Sequence, residues 1–199
     1  MAASLIQNPL QINFDSVLIL SDEGMVSMFK TLESSGLRGF LSCSAAIYEK
    51  NLVNFFENSI VRGNSVISSV QGLFVEFSEE KFVGVFDLPT EGLTSMNELP
   101  TDLINEGRRA FSASGDVIKT SSKNKEMKIE FRLMNYILAK TVIAKAGSFD
   151  AVTHERFLLM AAIHGGIKIN WRKFLFEILK VMVLPHRSKL GGLQFNSVI

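Results

Sequence analysis

Apolar positions recur along this chain at two periods, and the change between them divides it into elements. After Ser21 and Asp22, both helix-capping types, Met25, Met28, Phe29 and Leu32 fall at i, i+3, i+4 and i+7 and predict one helical face. Gly36 predicts its end. Residues 45 to 60 repeat the pattern, with Tyr48, Leu52, Phe55 and Ser59 on one stripe and Val53, Phe56 and Ile60 beside it, so a broad buried face is expected. Arg62-Gly63-Asn64 is turn chemistry, after which the period falls to two: Val66, Ser68 and Val70 alternate with their neighbours, then Leu73, Val75 and Phe77 do the same beyond Gly72. These two runs predict a short hairpin that must lean on helices. Ser78 with Glu79 and Glu80 opens a helix carrying Phe82, Val83 and Phe86, which Pro89 stops.

Helical signals dominate the second half. Residues 89 to 100 read as loop, followed by a capped segment at 101 to 111 with Leu103, Ile104 and Phe111. Residues 112 to 126 (SASGDVIKTSSKNKE) are polar and form the best linker candidate, although a surface loop of this length fits within one compact fold. From Met127 a long helix is expected to end near Ala146-Gly147. Thr153 caps the next, whose Phe157, Leu158, Met160, Ala161 and Ile163 are apolar almost all round, as befits a core helix. Beyond Gly165-Gly166, Trp171, Phe174, Leu175, Ile178, Leu179 and Met182 build another that Pro185 closes.

The expected fold class is therefore mainly α (α+β): a compact domain of about seven helices with one small antiparallel β-hairpin near residues 65–77. Residues 1–20 read as an N-terminal lead-in, 21–185 as a single globular domain with a polar loop at 112–126, and 186–199 as a flexible tail, the expected end of a truncated copy. No repeat of long period occurs, which argues against a solenoid or propeller.

Composition narrows the function classes. At 199 residues and 47% hydrophobic content the chain can bury a core, and its 21 basic against 20 acidic residues leave a formal charge of +1, with no global field for nucleic acid or anionic lipid. A single cysteine, Cys43, excludes an intrachain disulfide, multi-thiolate zinc sites and a zinc knuckle, and fits a reducing compartment. The start lacks a signal-peptide pattern, no Asn-x-Ser/Thr acceptor occurs, and no apolar run approaches the roughly 20 residues of a membrane span. A soluble intracellular protein is expected, nucleus or cytoplasm undistinguished.

Each familiar catalytic arrangement fails at a named position. His154-Glu155 begins like a zinc-protease helix, but the second histidine's place holds Leu158, and His164 lies about 80° around the helix from His154. Exposed His154 and half-buried His164 are the expected roles. Cys43 lies between predicted helices without a base nearby in sequence, so a buried apolar role is expected. Asp87, Glu91, Glu98, Asp102 and Asp116 fall on loops and first turns, where solvent and helix dipoles account for them. The glycines satisfy no phosphate-binding pattern, Gly165-Gly166 following a helix rather than a strand. No catalytic, cofactor-binding or metal-binding residue is assigned, and no small-molecule ligand. For nucleic acid the candidates are Lys123, Lys125 and Lys128, with Arg187 and Lys189 in the tail; without interleaved aromatics these runs offer phosphate contacts only.

Four features carry a resemblance: the aromatic helix with Val53, Phe55 and Phe56, the hairpin-like stretch ending in Phe77-Ser78, the helix ending in Leu88-Pro89, and Val152-Thr153-x-Glu155-Arg156 before an apolar helix and a glycine turn. In this order, over roughly residues 45 to 183, they resemble the plant putative transposon protein domain family, whose members are associated with retrotransposon-like loci. The resemblance implies no active-site residue. It implies a non-enzymatic domain of plant mobile-element origin acting in protein interaction or self-association, with nucleic-acid binding as the alternative.

Overall fold

The computed structural model of the chain describes residues 10–43, 48–143 and 151–183. Within them the order is α1 (Phe14–Val17), α2 (Glu23–Leu32), α3 (Arg38–Leu41), α4 (Glu49–Glu57), β1 (Ile60–Arg62), β2 (Ser65–Val70), β3 (Leu73–Ser78), α5 (Glu79–Phe86), α6 (Thr101–Ala110), β4 (Ser122–Lys123), α7 (Ile129–Thr141), β5 (Ala151–Val152), α8 (His154–His164) and α9 (Trp171–Val183). The fold is mixed α+β and mainly helical, as the periodicity implies.

Helix α8 is the centre. Thr153 caps it by accepting from the Arg156 amide, and every residue from Arg156 to Ile163 is buried. Helices α2, α6 and α7 pack directly on it. Phe111, fully buried at the end of α6, sets its ring 5.3 Å from that of Phe157 and 4.3 Å from that of Phe131 on α7. In a second layer the sheet packs on α4 through β2, while α5 and α9 meet its edge strands β3 and β1 and pack on each other, Phe82 standing edge-on to Phe176 at 6.1 Å. One contiguous apolar cluster runs through both layers.

The sheet is a three-stranded antiparallel meander, β1-β2-β3, one strand more than the expected hairpin. The extra strand comes from residues 60–62, which the helical reading of 45 to 60 had absorbed in part. Asn58 closes α4 instead, and Gly63-Asn64 makes the two-residue turn into β2. The second turn, Gln71-Gly72, has φ of 53° and 82°. Two consecutive left-handed residues define the mirror-image turn whose twist matches paired strands. Pairing of Val66 with Phe77, Ser68 with Val75 and Val70 with Leu73 places the alternating set on one face. There the Ser68 hydroxyl donates to the Phe55 carbonyl of α4 at 2.6 Å. The buried face of α4 is narrower than its two stripes imply: Leu52, Phe55 and Phe56 are buried, whereas Tyr48, Val53 and Ile60 are exposed.

Loops are tied down by backbone pairing. The polar stretch 112–126 lies against the end of α6 and the start of α7: Ala113 N–H donates to the Glu126 carbonyl, Lys128 N–H to Phe111, and Ile118 N–H to Arg108, while Ile118 is buried. Its strand β4 pairs with β5. Segment 89–100 docks on the α8–α9 connection, where Leu93 N–H donates to Lys168 and Asn170 N–H to Leu93. Asn170 also caps α9 through the Lys173 amide and donates its side-chain amide to Thr90 at 2.6 Å. Within residues 1–20, read as a lead-in, Ile12 and Phe14 are buried, and Ile12 N–H donates to the Leu41 carbonyl at 2.9 Å.

Candidate interaction surfaces

An open groove of about 310 Å³ lies between the α1–α2 connection and the outer face of α2, lined by Leu18, Leu20, Glu23, Val26, Ser27 and Lys30. Its origin is the helical period. Asp22 caps α2 by accepting from the Met25 amide, Met28, Phe29 and Leu32 turn inward, and residues 23, 26, 27 and 30 form the opposite stripe. Leu18 and Leu20 follow the single turn of α1, whose burial of Phe14 carries the chain outward again; Ile19 between them is 83% exposed. Arg38 fixes this corner with ion pairs to Asp15 and Glu33, which raise its pKa.

The second apolar surface is the outer face of the meander. Ile60 opposes Ile67, and Phe74, one row further along, is 87% exposed beside Leu73 at the hairpin tip. β3 is an outer strand, the position from which sheets recruit further strands.

Basic candidates divide differently. Lys123 on β4, Lys125 and Lys128 are all exposed, and the segment is held by Arg132, which donates to the Lys125 and Met127 carbonyls. Glu126 is exposed within the same run. Arg187 and Lys189 lie outside the described residues.

His164 is half-buried, its ring edge-on to Phe111 at 5.5 Å and Phe131 at 5.3 Å. Burial lowers its pKa, Glu106 opposes that shift, and Lys128 adds to it. His154 is exposed and meets Thr120 Oγ1 at 2.9 Å. Among the described residues no three His, Cys, Asp or Glu side chains converge on a metal position. Cys43 is exposed, correcting the buried role expected for it: it lies two residues beyond the end of α3, whose Phe40 and Leu41 are the residues that enter the core. Arg156 of the Val-Thr-x-Glu-Arg segment is buried. It donates to the Ala151 carbonyl at 2.8 Å, and burial lowers its pKa. That segment is therefore a helix cap and a brace for β5, a structural use.

Periodicity flags the inward faces of helices and says little about these outward ones. The groove in particular carries no motif; its only signal is Leu18-Ile19-Leu20 placed just ahead of a capped helix. No helix among the described residues is long and apolar enough to cross a membrane. Among the described residues, geometry thus defines a mainly helical α+β fold with an open groove of mixed lining beside α2, an outward sheet face carrying Ile60 and Phe74, and an exposed basic segment. Compared with known proteins, the chain matches no family model, no curated sequence and no solved structure.

Proposed function

We propose that this chain is a non-enzymatic interaction domain that associates with a second copy of itself, of the plant mobile-element kind its sequence resembles. The observation that carries the reading is the open groove beside α2, half of whose lining is apolar (Leu18, Leu20 and Val26), with Ile19 exposed next to it in the chain. Each large apolar side chain fully removed from water contributes about 1.5–3 kcal/mol, so a few such residues meeting across an interface offset much of the cost of association. Light scattering over a concentration series tests this. A mass rising from 22.1 kDa towards twice that value supports self-association, and a constant monomer mass refutes it.

Nucleic-acid binding is the second reading, favoured by the common exposure of Lys123, Lys125 and Lys128. Phosphate contacts of this kind weaken steeply with salt. Retention of single-stranded RNA on filters at low salt, lost when the three lysines are changed to glutamine, supports it; no retention ends it.

A further inference from the structure

The outward stripe of α2 is charged in a self-complementary way, and this names how two copies meet; the inference rests on the self-association reading above. Glu23 and Lys30 stand at the two ends of the stripe, separated by seven residues or about 10 Å along the axis. Their midpoint falls between Val26 and Ser27, the two smallest side chains lining the groove. A two-fold axis through that midpoint, perpendicular to α2, lays the α2 of a second copy antiparallel on the first. Glu23 of each copy then faces Lys30 of the other, and the small residues sit at the crossing, where backbones approach most closely. The antiparallel arrangement also opposes the two helix dipoles favourably. Leu18 and Leu20 lie beyond Glu23 at the end of this line, and Val26 is the apolar residue at the crossing itself.

Neither Glu23 nor Lys30 has an ion-pair partner among the described residues, so no internal bridge is broken when they pair across the axis. The edge of β3 lacks this complementarity. Its one charged residue, Glu76, meets an uncharged residue or itself in any two-fold antiparallel pairing of Leu73–Ser78.

We propose that this chain forms a two-fold dimer in which α2 packs antiparallel on α2 of a second copy, with Glu23 and Lys30 paired across the axis. The symmetry makes the test internally controlled. Glu23→Lys sets lysine against lysine, and Lys30→Glu sets glutamate against glutamate, so each variant alone is expected to dissociate about tenfold more readily at low ionic strength. Mixing the two restores both pairs, and a mixed dimer of near wild-type affinity is expected by sedimentation. The double variant E23K/K30E is expected to recover as well. Recovery on mixing shows that the variants are folded, and circular dichroism of each checks it separately. A wild-type chain that stays monomeric overturns this inference together with the self-association reading. A dimer indifferent to both reversals, or one abolished only by Phe74→Lys at the hairpin tip, overturns the α2 pairing and leaves self-association standing.

Discussion

The indole N–H of Trp171 donates to the backbone carbonyl of Ser35 at 2.6 Å, joining positions 136 residues apart. Trp171 is fully buried at the start of α9, and Ser35 lies in the wide turn Glu33–Leu37 between α2 and α3, so the bond fastens α9 to the first part of the described chain. Trp171→Phe keeps an aromatic ring but leaves a cavity and removes the donor to a half-buried carbonyl. A loss of about 2–3 kcal/mol is expected in denaturant unfolding. A change below about 0.5 kcal/mol, the range of ordinary surface substitutions, would show that the contact does not hold the fold together.

Gly39 is required by a close approach. A Cβ at this position would lie 2.3 Å from the backbone carbonyl oxygen of Phe86, where α3 crosses the end of α5. Backbone cannot swing aside as a side chain does, so Gly39→Ala is expected to cost about 2–3 kcal/mol, within the overpacking range. The control is Gly84→Ala on α5, where a Cβ meets nothing within 4 Å and the helical backbone is expected to gain about 0.5–1 kcal/mol. Unfolding curves that rank the two variants the other way would contradict the packing.

Asn135 on α7 is wholly buried, and neither its amide nitrogen nor its amide oxygen meets a hydrogen-bond partner. Buried polar atoms without partners cost about 1–3 kcal/mol. Asn135→Leu replaces them with apolar atoms of similar reach and is expected to raise the thermal midpoint. A lowered midpoint would show that the amide has a role in the folded chain.

His164 makes stability depend on pH. Burial lowers its folded pKa below the ordinary 6.5, so the unfolded chain binds more protons as pH falls through that value. The group's contribution is complete above about pH 7, declines as pH falls through 6.5 towards the folded value, and is then lost; the limiting slope for one proton is about 1.4 kcal/mol per pH unit. Lys128 deepens the shift and Glu106 opposes it. Comparing urea midpoints at pH 7.5 and 5.5, a smaller drop is expected for His164→Gln than for the wild-type chain. Equal drops would assign the dependence to other groups.

How far the fold was legible depended on whether a residue faced inward. The all-round apolar run of α8 and its Thr153 cap were readable because burial selects residue type directly, and the inward faces of β2 and β3 followed from alternation. The three residues of β1 were not readable: Ile60 and Val61 fit the end of a helical stripe, and only pairing with Ile67 and Val66 makes them a strand. The loop at 112–126 looked like a linker because its side chains are polar. What holds it is backbone pairing to Arg108, Glu126 and β5, which leaves little trace in composition. Asn170 was missed for a related reason, since one side chain both caps α9 and anchors Thr90 from 80 residues earlier. The candidate surface was least legible. Periodicity singles out Met28, Phe29 and Leu32 and passes over Glu23 and Lys30, whose complementarity emerges only once α2 is known to present that stripe to solvent.

The pairing of α2 with α2 is tested most directly by a disulfide at its centre. In a Cys43→Ser background, which removes the only native and exposed thiol, Ser27→Cys sets a cysteine beside the proposed two-fold axis. A disulfide needs Cα atoms within about 7 Å, a distance reached near a helix crossing and not between separate monomers. The expected result of mild oxidation is a covalent dimer of twice 22.1 kDa on non-reducing gels, formed in proportion to the dimer seen in solution. A chain that dimerises yet forms no such disulfide, or forms it equally from a cysteine placed at Phe74, would contradict the pairing.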